Sequence, residues 1–210
     1  MSRGRPFLVV GVTGGPGTGK STVAQLLTEF KAVVVDADHI AHEMIQPKKL
    51  GWRKVLQLFG DEIANSDGTI HRKKLAARIF GDEAARRQLE AIVHPRVLRR
   101  INERLERLRK NKRVHVVVLD VPLLIEARMN TMVDALVVVT ARPQVQRQRL
   151  RARGWSEEEM TQRMAAQWDL SAKAALADYV IDTSDGLAAT TTQVGALWLK
   201  LLEHPRKRRG

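Results

Sequence analysis

Gly14-Gly15-Pro16-Gly17-Thr18-Gly19-Lys20-Ser21 follows directly on the apolar run Phe7-Leu8-Val9-Val10-Gly11-Val12 and matches the pattern GxxxxGK[ST]. A strand that runs into a glycine-rich turn and then a helix gathers backbone N–H groups and the positive end of that helix around an anion. On this reading Gly15, Gly17, Thr18 and Gly19 bind phosphate through the main chain. Lys20 reaches the β- and γ-phosphates of a nucleotide, the Ser21 hydroxyl is a ligand of Mg²⁺, and Thr22 contacts the α-phosphate.

The composition narrows the remaining choices. The chain has 210 residues, 44% of them hydrophobic, enough to bury a core in one domain with an insertion or in two small ones. No run approaches the roughly 18 uncharged apolar residues of a membrane span. Met1-Ser2-Arg3-Gly4-Arg5-Pro6 leads into the first strand without a signal-peptide core, so a cytoplasmic protein with no membrane partner is expected. The absence of cysteine excludes disulfides and thiolate metal sites. A net charge of +13 raises the question of nucleic acid. Residues 53 to 113 hold seventeen Lys/Arg against eight Asp/Glu, five arginines lie in the acid-free window 142 to 153, and Arg206-Lys207-Arg208-Arg209 form a basic tail. Basic charge spread over three places, with nine aromatic residues in all, does not make a stacking surface, and nucleic acid is not an expected partner. The oligomeric state is not legible.

Runs at Phe7–Val12, Val33–Asp36, Val114–Asp120, Ala135–Thr140 and Tyr179–Ile181 alternate with helical patterns. This predicts an α/β fold, a five-stranded parallel sheet covered by helices. Almost eighty residues separate the second and third runs, far more than a crossover needs, which predicts an inserted helical subdomain. Its amphipathic segments carry Trp52, Val55, Leu56 and Phe59, then Leu75, Ile79 and Phe80, then Leu89, Ile92 and Val93. Pro95 is expected to break the helix before Val97, Leu98, Ile101, Leu105 and Leu108 resume the pattern.

Two strand ends supply carboxylates. Val116-Val117-Val118-Leu119-Asp120 has the form of a Walker B strand, whose acid holds Mg²⁺ or its water, although a buried strand ending in a surface acid has the same pattern. Asp36 and Asp38 close the second strand. Either can cap the helix beginning near Ala37, and either can take a proton from an acceptor hydroxyl; Asp38 is the better candidate for the base. Asn111-Lys112-Arg113-Val114 begins like a guanine signature but lacks its Asp and precedes its strand. A kinase of another nucleoside or small alcohol, or a nucleic-acid-binding protein switched by ATP, fits these features too.

Further motifs separate these readings. Thr13-Gly14-Gly15, Val35-Asp36-Ala37-Asp38, Gly68-Thr69-Ile70-His71-Arg72, Leu89-Glu90, His94-Pro95, Val121-Pro122-Leu123-Leu124-Ile125-Glu126 and Ala177-Asp178-Tyr179-Val180-Ile181-Asp182 occur in this order. In these the chain resembles the dephospho-CoA kinases, P-loop NTPases of the nucleotide-kinase type, over nearly its whole length. The resemblance implies transfer of the ATP γ-phosphate to the ribose 3′-hydroxyl of dephospho-CoA, with Mg²⁺. It implies that Asp38 contacts the acceptor ribose as base and that Arg149 and Arg153 are lid arginines on ATP, with Gln167 in the following helix. His94, Leu123 and Glu126 fall on the substrate side, although a histidine before proline at a helix start is as often a cap. The implied organisation is a core of 6–40, 114–142 and 177–204, a CoA-binding subdomain 41–113, an Arg-rich lid 143–176 and a tail 205–210. Arg147 and Arg151 read as solvated helix positions. Thr183 stands where the family commonly has Asn, beside the expected adenine position.

Overall fold

Leu8–Gly14 forms strand β1, and all seven of its residues are buried, as the unbroken apolar and small composition requires of a strand covered on both faces. The computed structural model describes residues 7–79 and 82–205; Phe80 and the tail residues Arg206–Arg209 lie outside the described residues. After β1 come α1 (Lys20–Glu29), β2 (Val33–Asp36), α2 (Ala37–Met44), α3 (Leu50–Phe59), α4 (Arg72–Ile79) and α5 (Glu83–Leu108). The chain continues through β3 (Val116–Asp120), β4 (Ala135–Thr140), α6 (Pro143–Ala152), α7 (Glu157–Ala165), α8 (Leu170–Ala175), β5 (Tyr179–Asp182) and α9 (Gly186–Glu203).

The sheet order is β2-β3-β1-β4-β5, so β1 is central. It pairs in parallel with β3, Val12 opposite Asp120, and with β4, Gly14 opposite Val139. β4 pairs in parallel with β5, Thr140 opposite Asp182. The C-terminal ends of β1, β3, β4 and β5 therefore share one edge of the sheet, where ligands bind in open α/β folds. Their starts are tied at the other edge. Asp134 accepts the Val9 N–H at 2.8 Å, and its carbonyl accepts from His204 Nε2 at 3.2 Å. A carbonyl can only accept, so Nε2 carries a proton, and Nδ1 lies in hydrogen-bond contact with the Tyr179 hydroxyl at 2.8 Å. On one face α1 and α9 pack through Phe30 and Trp198, whose rings stack with centroids 5.6 Å apart.

The chain divides into two compact units, Asp36–Arg107 and the sheet unit formed by the segments on either side of it. The first is helical. Asp36 caps α2, its carboxylate accepting the His39 N–H at 2.9 Å. Val55, Phe59, Ile63, Ile70 and Leu75 form its core, with Trp52 packed against them and donating its indole N–H to the Gly68 carbonyl at 2.7 Å.

α5 corrects one expectation. It runs unbroken for 26 residues with Pro95 inside it, and His94 lies in mid-helix rather than at a helix start. A proline there removes one backbone hydrogen bond and costs about 3 kcal/mol. Burial outweighs this local penalty: Leu89 and Ile92 pack against the unit's core before the proline, and Val97, Ile101 and Leu105 are buried beyond it. The Arg96 guanidinium donates to the Ile92 carbonyl in the disturbed turn, and Pro95 itself faces solvent.

Pro95→Ala restores the missing donor and is expected to stabilise the protein by about 1–3 kcal/mol, read as a higher urea midpoint at unchanged m-value. Gly14→Ala has the opposite expectation. A Cβ on Gly14 would stand 2.6 Å from the Val139 carbonyl oxygen, backbone against backbone in the sheet centre. Forcing those strands apart should lower the unfolding free energy by about 1–3 kcal/mol.

Candidate active site

The turn after β1 is closed by its own side chain: Thr18 donates its hydroxyl to the Gly15 carbonyl at 2.9 Å and its N–H to the same oxygen at 3.3 Å. Gly17 holds φ at 75°, and a Cβ there would meet the Gln146 carbonyl oxygen at 2.7 Å. Only glycine lets α6 pass this close to the loop. α1 then begins at Lys20, and no side chain caps it. No side chain takes its first-turn N–H groups, the Thr22 N–H bonding back to the Gly19 carbonyl at 2.9 Å, and the helix start presents a positive end to an anion. Ser21 and Thr22 are exposed in that turn.

Lys20 is ion-paired with Asp120 at the end of β3, and their side chains are 14% and 8% exposed. The pair joins the loop to the Walker B strand that the sequence singled out. Hydroxyl and carboxylate oxygens, Ser21 and Asp120, are the donors a hard cation such as Mg²⁺ takes together with phosphate oxygens. Among the described residues no group of three or more His, Asp or Glu gathers as a metal cage.

Arg149, on α6, reaches the same place. Its guanidinium donates to the Thr183 hydroxyl and the Thr183 carbonyl, each at 2.7 Å, and to the Gly17 carbonyl at 3.3 Å. Thr183 is 2% exposed, and its hydroxyl donates to the Thr18 carbonyl at 2.6 Å while its N–H bonds to the Thr140 carbonyl at 3.0 Å. Thr183 is therefore a joint between the loop, the end of β4 and α6. The sequence reading placed it only as a neighbour of adenine.

The remaining arginines of the window divide by partner. Arg153 ends α6 and is exposed. Arg147 and Arg151, expected as solvated positions, both hold Glu157 of α7, at 2.8 and 2.6 Å. Hydrogen bonding from Arg151, reinforced by Arg147, keeps the Glu157 carboxyl below the ordinary glutamate value. The window is acid-free in sequence, but the next helix supplies the acid. α7 is further fixed by its Ser156/Glu159 capping box and by Arg163 lying 4.2 Å over the Trp155 ring.

The Pro122–Glu126 stretch forms a tight turn after β3. Leu123 is half-buried within it and its carbonyl accepts the Ala127 N–H at 2.9 Å. Glu126 is engaged by Lys173 at 2.8 Å and by the Trp168 N–H at 3.0 Å. Lys173 was missed in the sequence, where its only mark is one cation in the small, mostly apolar helix Leu170–Ala175. The structure thus brings Gly15, Gly17, Thr18, Gly19, Lys20, Ser21, Thr22, Asp120 and Arg149 to one end of the sheet unit. Asp38 and His94 belong to the helical unit, Asp38 exposed in the first turn of α2 and His94 half-buried in α5.

Thr183→Val keeps the shape and removes the hydroxyl that serves both Thr18 and Arg149. It is expected to lower the unfolding free energy by about 1–3 kcal/mol, with Thr183→Ser retaining most of it, in paired urea titrations.

Comparison with known proteins adds a family to this geometry. The family model described as dephospho-CoA kinase matches residues 8–189. A dephospho-CoA kinase of Bacillus thuringiensis subsp. konkukian is 40% identical over 194 residues, covering 92% of this chain and 96% of that protein. One from Moorella thermoacetica is 40% identical over 199 residues, covering 94% of each. Among solved structures, TT1252 from Thermus thermophilus superposes with a TM-score of 0.80 at 32% identity, covering 95% of this chain and 98% of that one.

Proposed function

The chain belongs to the dephospho-CoA kinase family, which moves the γ-phosphoryl group of ATP to the ribose 3′-hydroxyl of dephospho-CoA, and we propose that Lys20, Arg149 and Asp38 carry that transfer here. The observation that carries the proposal is the uncapped start of α1 wrapped by the glycine loop, with Lys20 and Asp120 paired beside it.

Gly15, Gly17, Thr18, Gly19, Lys20, Ser21 and Thr22 are assigned to the phosphate oxygens, the glycines and Lys20 through their backbone N–H groups, and Lys20 exchanges its carboxylate partner for the β- and γ-phosphates. Arg149, bound to Gly17 and Thr183, adds a fixed guanidinium at the loop. It stabilises charge that grows on the transferred group without reorganising at the moment of reaction. Arg153, exposed at the end of the same helix, is the second arginine assigned to ATP. Ser21 and Asp120 would hold Mg²⁺, which when bound neutralises phosphate charge.

Asp38 is assigned as the base. Asp36 is the residue that caps α2, so the capping alternative falls to it, and Asp38 offers an exposed carboxylate just past the end of β2. It accepts the proton of the 3′-hydroxyl as that oxygen bonds to the γ-phosphorus; the bond to the β-phosphate oxygen breaks, and ADP leaves with its electrons. The helical unit is assigned to the CoA portion of the acceptor. His94 and Leu123 are proposed acceptor-side contacts; Glu126, expected beside them, is engaged by Lys173 and the Trp168 N–H, and we assign it to holding the turn that presents Leu123. No described helix is long and apolar enough to cross a membrane, and the cytoplasm is the proposed compartment.

Steady-state assays with dephospho-CoA, nucleoside monophosphates and shikimate as acceptors test the assignment. Turnover should be confined to dephospho-CoA. Asp38→Asn should lower kcat by roughly 10²- to 10⁴-fold with the KM for ATP unchanged, while Lys20→Ala should impair nucleotide use with any acceptor. Near-wild-type turnover in Asp38→Asn removes that residue from the mechanism.

A further inference from the structure

Lys173 is the one lysine among the fully buried side chains of the described residues, 1% exposed, and its ammonium has three oxygen partners. It donates hydrogen bonds to Gln167 Oε1 at 3.1 Å and to the Pro122 carbonyl at 3.2 Å, and it is ion-paired with Glu126 Oε1 at 2.8 Å. Two of these acceptors are shared. Glu126 Oε1 also receives the Trp168 N–H at 3.0 Å, and the Pro122 carbonyl also receives the Thr13 hydroxyl at 2.8 Å. Thr13 is itself fully buried and immediately precedes Gly14, the first residue of the phosphate loop. One ammonium therefore connects the entry of the loop to Gln167 and Trp168, which follow the arginine-bearing helices α6 and α7. At the other end of that stretch, Arg149 and Thr183 connect α6 to Gly17 and Thr18. The arginine segment is thus tied to the loop at both of its ends.

Stability alone does not account for a charge at this position. Desolvating an ammonium costs several kcal/mol, and well-packed apolar residues in place of a buried pair are often neutral or stabilising. The partner carboxylate is not even used fully, since Glu126 Oε2 is buried without a hydrogen-bond partner. What the ion pair supplies and an apolar contact would not is direction: three fixed acceptors set where the Pro122 carbonyl, Thr13 and the Gln167–Trp168 backbone stand.

We propose that Lys173 is a positioning residue for phosphoryl transfer, holding the entry of the phosphate loop and the C-terminal root of the arginine segment in register through Pro122, Glu126 and Gln167. It touches neither substrate and acts through Thr13 and Trp168. This rests on the assignment of the loop and Arg149 to ATP.

Full-length protein carrying Glu126→Gln, Lys173→Met, or both tests it, with kcat, KM for ATP, KM for dephospho-CoA and the urea midpoint measured for each. Lys173→Met alone strands a buried carboxylate and should lower the midpoint; the double variant carries no buried charge and should recover it. The expected result is that kcat stays reduced by roughly 10- to 100-fold in the double variant despite recovered stability. Both KM values should stay within about two-fold of wild type. Recovery of kcat together with stability would make the pair merely structural and overturn the proposal. Glu126→Gln keeps shape and an acceptor oxygen but leaves the buried ammonium without its carboxylate, so its midpoint should fall as well; a fall in its kcat at temperatures where it remains folded supports the proposal. A rise confined to its KM for dephospho-CoA would overturn it in favour of direct contact with the acceptor. Failure of the wild type to phosphorylate dephospho-CoA would instead refute the functional assignment beneath it.

Discussion

β1 lies between β3 and β4, and none of its seven residues reaches solvent. That burial constrains everything at its C-terminal end. The chain must leave the sheet through Gly14, where the Val139 backbone allows no side chain, and must turn before α1 can start. The turn therefore falls where Asp120 ends β3 and Thr183 follows β5, both set by sheet register. The phosphate loop is less an independent motif than the only exit the central strand has.

Once the loop is there, its shape has to be held. The structure does this from outside the loop. Thr183 takes the Thr18 carbonyl, and Arg149 takes the Gly17 carbonyl. Thr18 uses its hydroxyl on Gly15, and Gln146 closes α6 against Gly17. Thr183, Arg149 and Thr18 each bind an oxygen of the loop, while the start of α1 is left without a capping side chain. Positive groups around that point, Lys20 and Arg149, are held by Asp120 and Thr183 in defined positions. Preorganisation of this kind lets an electrostatic site stabilise developing charge without first rearranging.

Long-range partners explain what the sequence concealed. Pro95 looks like a helix break because local propensity is all a sequence window contains, and the burial of Val97, Ile101 and Leu105 beyond it overrides that propensity. Arg147 and Arg151 reach solvent, as their pattern predicts, but the acid they share, Glu157, belongs to the next helix and lies outside their window. The partners of Lys173 include a carbonyl 51 residues away, and nothing in Leu170–Ala175 announces them. By contrast the strands, the loop and the Asp36–Asp38 pair were legible, since each depends on contiguous residues and on backbone geometry.

The amino-acid order by itself determined the central strand, the glycine loop, the helix behind it and the family, because strand burial and phosphate binding by main-chain amides are written in short contiguous patterns. It fixed Lys20 and Asp120 as separate candidates. Tertiary structure alone decided that they meet, that Asp36 and not Asp38 caps α2, and that Thr183, Arg149 and Lys173 brace the loop. The reason is the same each time: a buried charge or hydroxyl is stable only where its partners converge, and that convergence is a property of the packed sheet rather than of any segment.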